Sequence, residues 1–187
     1  GFSIQLAQKL LFFNFMRYAI IAALFFLIWY ILFRNKWAYK KIQSKFPLKA
    51  DLWREIRYSL FTVLLFSLVS YLILTEPISK YTLRYDQLSD ASTSYWWLSL
   101  ILMILLHDTY FYWAHRLMHN KKIFPHVHFL HHLSMNPSPW AAYAFHPIEG
   151  VIEALVIFPI VFLIPHHVTT LIAFMFFMMV YNVYGHL

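Results

Sequence analysis

The sequence predicts an all-α, multi-pass transmembrane helical bundle of about four to five spans, with a cytosolic histidine-rich metal cap. Three observations predict it. The 187 residues are 61% hydrophobic and only 12% charged, with three glycines, whereas soluble domains are about half apolar and about a quarter charged. Apolar runs of membrane-spanning length recur along the chain. Eight of the eleven histidines fall between His107 and His146.

A spanning helix needs about 20 mostly apolar residues. Tyr18–Phe33 is one such run, extendable backward through Leu10–Phe15 where Asn14 and Arg17 are tolerated. Tyr58–Leu74 is a second, and Tyr95–Leu106 a third that continues as helix through Tyr110–Trp113. Ile148–Ile164 is a fourth, interrupted by Glu149, Glu153 and Pro159, and Val168–Tyr184 a fifth. Pro165-His166-His167 between the last two reads as a tight helical hairpin, because proline cannot continue a helix. The chain divides into residues 1–94, N-terminal transmembrane helices with a basic cytosolic loop, and residues 95–187, a histidine-box catalytic region.

Charge orients the bundle. Arg34, Lys36, Lys40, Lys41, Lys45, Lys49, Arg54 and Arg57 put eight of the fifteen basic residues between the first two spans. The 75–94 connection holds only Lys80 and Arg84. The bias of basic residues toward the cytosol places the first connection inside, and alternation of the spans then brings His107–His119 and His186 to the same side. The formal charge of +7 comes without any nucleic-acid recognition motif, so no nucleic-acid partner is expected. Cysteine is absent, which excludes disulfides and Cys-ligated zinc or iron–sulfur sites.

The histidines carry the chemistry. His115 and His119 stand at i and i+4, on one helical face, so adjacent turns can chelate one metal. Asp108, seven residues before His115, projects from nearly the same face, where it could accept a hydrogen bond from a ligand's second nitrogen. His128, His131 and His132 follow at i, i+3 and i+4. Five imidazoles within eighteen residues exceed what one tetrahedral zinc uses, which suggests two metals. No Asp or Glu lies between Asp108 and Glu149, so neither the Glu-x-x-His pairs of soluble di-iron bundles nor a His-Glu-x-x-His protease helix is present.

His107-Asp108-Thr109-Tyr110-Phe111-Tyr112-Trp113-Ala114-His115-Arg116-Leu117-Met118-His119 resembles the first histidine box of the fatty acid hydroxylase / sterol desaturase superfamily. His128–His132 is similar to its second box, Trp140–Glu149 to the segment that follows, and Asn182–His186 to the start of the third. The resemblance covers residues from about 95 onward. It implies that His115, His119, His128, His131, His132 and His186 ligate two iron ions, with zinc able to replace iron in a purified sample. It further implies O2 as co-substrate and a sterol or fatty acyl lipid as substrate for hydroxylation or desaturation in lipid biosynthesis. Electrons would come from NAD(P)H through a reductase and cytochrome b5 or ferredoxin, at a bacterial inner membrane or the endoplasmic reticulum. The family pattern continues to a last His-x-x-His-His, so a chain ending at Leu187 reads as truncated before that box. The Ala144–Glu149 segment leans toward the sterol desaturase side.

Other positions are weaker. His107 lies about 80° around the helix from His115, His126 falls outside its box, and His166 and His167 fall at the opposite membrane face. Arg116 could pair with Asp108 or a headgroup. His146, before Pro147, could line the site or begin a helix. A histidine-rich membrane metal-binding or transport protein without oxygenase activity is the alternative. It predicts ionisable residues along the spans, and Glu153 is the main such residue in the apolar runs.

Overall fold

The computed structural model describes residues 3–37 and 46–186; Lys40, Lys41 and Lys45 of the expected basic loop lie outside the described residues. Helix α1 (Ile4–Phe26) opens where the Ser3 hydroxyl accepts the Leu6 N–H, and its apolar run continues through the wider π-turns of Leu27–Leu32. Helix α2 (Lys49–Leu74) begins nine residues before the apolar run, because its first turns are solvent-compatible and Asp51 pairs with Arg54 at 2.8 Å. Helix α3 (Thr93–Met118), capped by Ser92 on the Tyr95 N–H, outlasts its apolar stretch and carries the first histidine pair in its final turns. Among the described residues these three helices, taking α1 with its π-turn extension, are long and apolar enough to cross a membrane.

The fourth apolar run is not one helix. It divides into α6 (Pro147–Leu155) and α7 (Ile157–Leu163). Pro159 explains the break: it has no N–H for the carbonyl of Leu155, four residues back, and its ring crowds that carbonyl. Neither half reaches spanning length. The expected tight hairpin after α7 is also different in kind. His166–His167 (β2) pairs in parallel with Arg84–Tyr85 (β1), in the register Arg84 to His166 and Tyr85 to His167. The Leu83 N–H donates to Val161 O at 2.9 Å, which anchors the 75–92 connection to the end of α7. Helix α8 (Val168–Tyr184) follows where the spacing predicts it.

Between α3 and α6 lie the single-turn helices α4 (Phe124–Val127) and α5 (Phe129–His132) and a 3-10 turn, Pro139–Tyr143. That turn is inserted into the bundle: Pro139, Ala141, Ala142 and Tyr143 are all buried. Tyr18 of α1 and Ser59 of α2 both donate hydroxyl hydrogen bonds to Trp140 O, at 3.0 and 2.8 Å. Asn182 of α8 donates to Ala142 O at 2.8 Å. Tyr18 also stacks on Tyr143, with ring centroids 5.7 Å apart. One core cluster joins Tyr18, Ala22, Val63, Met179 and Val183 around this turn, and a second joins α3, α7 and α8 through Met103, Ile160 and Phe174.

The two ends of the bundle are distinct. Tyr30 donates to Pro137 O at 3.0 Å, and Arg54 Nη2 to Leu133 O at 3.1 Å. The basic connection and the histidine segments therefore share one end, as the charge pattern predicts.

Trp140 O holds two hydroxyl donors, and either one alone would keep it satisfied. Tyr18→Phe and Ser59→Ala should each cost under about 1 kcal/mol. The double variant should cost about 1–3 kcal/mol more than their sum, because the buried carbonyl is then orphaned. Thermal unfolding in detergent micelles measures this, and simple additivity would mean that the shared carbonyl does not organise the turn.

Candidate metal centre

The last turns of α3 bring His115 Nε2 and His119 Nε2 to 3.1 Å. Two ring nitrogens this close need a shared proton or a cation between them, since two lone pairs repel. The second histidine segment is not the continuous helix that the spacing suggests. The helix is interrupted at His128, whose backbone is stretched within the helical region (φ −116°, ψ −15°), and this separates α4 from α5. The kink turns His128 into the interior, where it is 1% exposed.

The five imidazoles divide into two groups. His115, His119 and His128 offer nitrogens that lie within 4.8 Å of one another, a spacing that one ion could bridge. The His132 ring joins them, with its centroid 4.7 Å from His128 and 5.1 Å from His119. His131 also meets His186 at the end of α8, with centroids 5.4 Å apart, and is the only ring of the five that does so among the described contacts. His128 and His131 stack at 5.5 Å and connect the two groups.

Protonation favours free lone pairs. His128 Nδ1 lies 2.6 Å from Glu149 Oε1 and its Nε2 has no partner. Burial pushes the Glu149 carboxyl up to about 8, so the pair shares a proton; with that proton on Nδ1 the ring is held with Nε2 free to ligate, as carboxylates fix metal-bound histidines. His186 Nδ1 donates to Asn182 O at 2.7 Å, which leaves Nε2 free there too. Burial pushes the pKa of His128 and His186 down, and takes His131 to about 3, helped by the nearby His186. These imidazoles are neutral at physiological pH, the form that binds a metal. The buried His128 Nε2, with no partner, fits a metal ligand better than a packed core, where polar atoms find partners. An all-imidazole donor set suits iron or zinc.

A cavity of about 450 Å³ adjoins the centre. His107, His115, His128, His131 and His186 line it together with apolar residues such as Phe66, Val69, Phe174 and Met178 and the charged Arg17, Asp108, Glu149 and Glu153.

Other predicted positions sit elsewhere. Asp108 lies 3.5 Å from His107 Nδ1 and is mostly exposed; both side chains line the cavity, and Asp108 pairs with His107 rather than with a histidine of the two groups. His146 caps α6 by accepting the Ile148 N–H at 3.3 Å and is not among the cavity-lining residues. His126 is exposed. His166 and His167 lie at the far end, bonded to Ile164 O and to Thr169 with Asp86 O. Arg116 bonds Tyr112 at 3.0 Å rather than Asp108. The residue that spacing missed is Glu149. Twenty-one positions from His128, it gives no periodic signal; the sequence marks it only as the first acid after a long acid-free stretch and as the end of the family-like Trp140–Glu149 segment.

Residues 100–187 match the model of the family described as fatty acid hydroxylase. A Delta(7)-sterol 5(6)-desaturase of Gibberella zeae is 32% identical over 63% of this chain and 36% of its own length. A lathosterol oxidase of Rattus norvegicus is 30% identical over 62% of this chain and 40% of its own, and one of Homo sapiens 29% identical over the same shares. The chain thus spans well under half the length of these relatives. No solved structure matches it.

Glu149→Gln keeps the shape but loses the carboxylate that fixes His128. We expect metal affinity to fall about 10–100-fold, read by competition with a calibrated chelator. An unchanged affinity would mean that His128 needs no such partner.

Proposed function

Because the chain belongs, through residues 100–187, to the fatty acid hydroxylase / sterol desaturase superfamily, we propose that it forms a membrane-bound non-haem di-iron oxidoreductase that oxidises a lipid with O2. The observation that carries the reading is the cluster of six imidazoles in ring contact, four of which (His115, His128, His131 and His186) line a largely apolar cavity. His115, His119, His128 and His132 would hold one iron. His131 and His186 would contribute to the second, and Asp108 lines the approach from the α3 side.

Iron bound there supplies O2 activation, for which protein side chains alone have no redox capacity. The chain's own residues do the rest. Glu149 holds the His128 proton on Nδ1. Phe145 packs on His131 at 5.5 Å and Phe111 on His115 at 5.3 Å, which limits water around the nitrogens. The cavity walls from α2, α6 and α8 receive the hydrocarbon. In a desaturation O2 takes two hydrogens from the lipid, and two electrons with two protons from a donor, giving two waters. In a hydroxylation one oxygen atom enters the lipid and the other leaves as water.

The substrate is a sterol-type lipid in preference to a fatty acyl chain, because the relatives that the chain matches are named for sterols. The two electrons derive from NAD(P)H through a reductase with cytochrome b5 or a ferredoxin. The basic residues that share an end with the histidines orient that end to the cytosol and offer a docking face for an acidic carrier. Residues 95–187 form the catalytic region, and α1 and α2 complete the cavity around it. The host membrane is the endoplasmic reticulum or a bacterial inner membrane.

The test is turnover in proteoliposomes. Iron-loaded protein with an NADPH-driven reductase and carrier should consume O2 only when a sterol is added, giving a product two hydrogens lighter or one oxygen heavier by mass spectrometry. His128→Ala should lower the rate at least about 100-fold. Metal-dependent uptake into the vesicles with no lipid product would favour the transport reading.

A further inference from the structure

Arg17 stands in the middle of the first spanning helix and is 4% exposed. A cation at that depth in an apolar helix is costly and marks a functional group by default. Its Nη2 donates to Asn14 Oδ1 at 3.0 Å and to Tyr143 OH at 3.5 Å, while Phe13 packs alongside at 5.8 Å. Asn14 is itself held by Leu10 O and Ser67 Oγ, which turns its amide oxygen toward Arg17. The guanidinium is thus held in place on one side. Its Nε and Nη1 are buried with no hydrogen-bond partner, and none of the ion pairs among the described residues includes it.

Arg17 also lines the same cavity as His131 and His186. Two aromatic side chains connect them: Tyr143, which touches Arg17, packs against Phe145 at 6.2 Å, and Phe145 packs against His131. Arg17 lies thirteen residues before Tyr30, which stands in the π-turn extension of α1 and bonds the histidine-side loop, an axial rise of roughly 20 Å. Arg17 therefore borders a space whose lining is largely apolar, and its two unpaired donors lie buried beside it. Glu149 and Glu153 already line this cavity. An added anion would face those carboxyls, whereas a neutral oxygen accepts from the guanidinium without that repulsion.

We propose that Arg17 is a specificity-determining residue that binds the hydroxyl group of the lipid substrate, so that the lipid lies with its polar end inward and its oxidised carbon is counted from that hydroxyl. This rests on the lipid-oxidising reading for the word substrate. The pocket itself does not need that reading to bind a hydroxyl-bearing lipid.

The experiment measures binding without turnover. Purified full chain in detergent is titrated with cholestanol and with cholestane, which share a hydrocarbon skeleton and differ in the hydroxyl. Wild-type protein should prefer cholestanol by about 10–100-fold, the range of a hydrogen bond to a charged group. Arg17→Met should erase the preference while still binding cholestane, and Arg17→Lys should retain part of it, which guards against a variant that fails to fold. Equal loss for both lipids in Arg17→Met would reduce Arg17 to a structural tie between α1 and Tyr143 and overturn the proposal. So would palmitate depending on Arg17 more strongly than cholestanol does, because the group would then be an anion site. If wild-type protein oxidises sterols yet shows no hydroxyl preference, this inference fails and the proposed function stands. If it shows the preference yet oxidises no lipid, the hydroxyl site stands and the proposed function fails.

Discussion

The structure depends on a constraint set by the bilayer: a turn of irregular backbone, Pro139–Tyr143, sits inside the bundle and its carbonyls must be satisfied there. No lipid can do so, and such backbone persists in a membrane only where protein groups pair it. Tyr18, Ser59 and Asn182 supply the donors, one from each of three helices. Each bond is modest, about 0.6 kcal/mol on average between membrane helices. Their convergence on one turn nevertheless fixes where α1, α2 and α8 stand relative to one another. Glu55 of α2 supports the same turn from its start, where Ser138 donates to its carboxylate.

The metal end inherits its geometry from that turn. Phe145, two residues beyond it, packs on His131 and aims it toward His186 of the helix that Asn182 anchors. Pro147 then opens α6, whose first turn carries Glu149 to His128. One stretch, from Ser138 to Glu149, thus sets the position of both imidazole groups. It also forms part of the cavity wall through Tyr143 and Phe145. The histidines are the proposed ligands, and their placement follows from residues outside that set.

Sequence reading reached the parts with a period. The apolar runs located α1, α2, α3 and α8, because helix length in a bilayer is fixed by hydrophobic thickness. The i, i+4 spacing placed His115 and His119 together, since one helix carries both. The His128 segment was harder: its spacing suggests one helix aiming three imidazoles at one centre, but the kink at His128 sends His131 elsewhere. Pro159 divided the fourth run, a consequence visible in the residue yet overridden by the hydropathy around it. Asp108 shows the limit of helical arithmetic, since the neighbouring His107 claimed it. Glu149 and Arg17 were legible only as oddities, charged residues in apolar surroundings. Glu149's partner lies 21 positions away and the more distant of Arg17's two partners 126, separations that no local pattern encodes.

The central claim is that two groups of imidazoles hold two irons. Elemental analysis of detergent-purified protein from iron-replete cells, set against His131→Ala, tests it most directly. The account predicts two irons per chain in the parent protein and about one in the variant, which retains the His115, His119, His128 and His132 group. One iron in both would contradict a second metal position at His131 and His186. No iron in either would contradict the metal centre altogether.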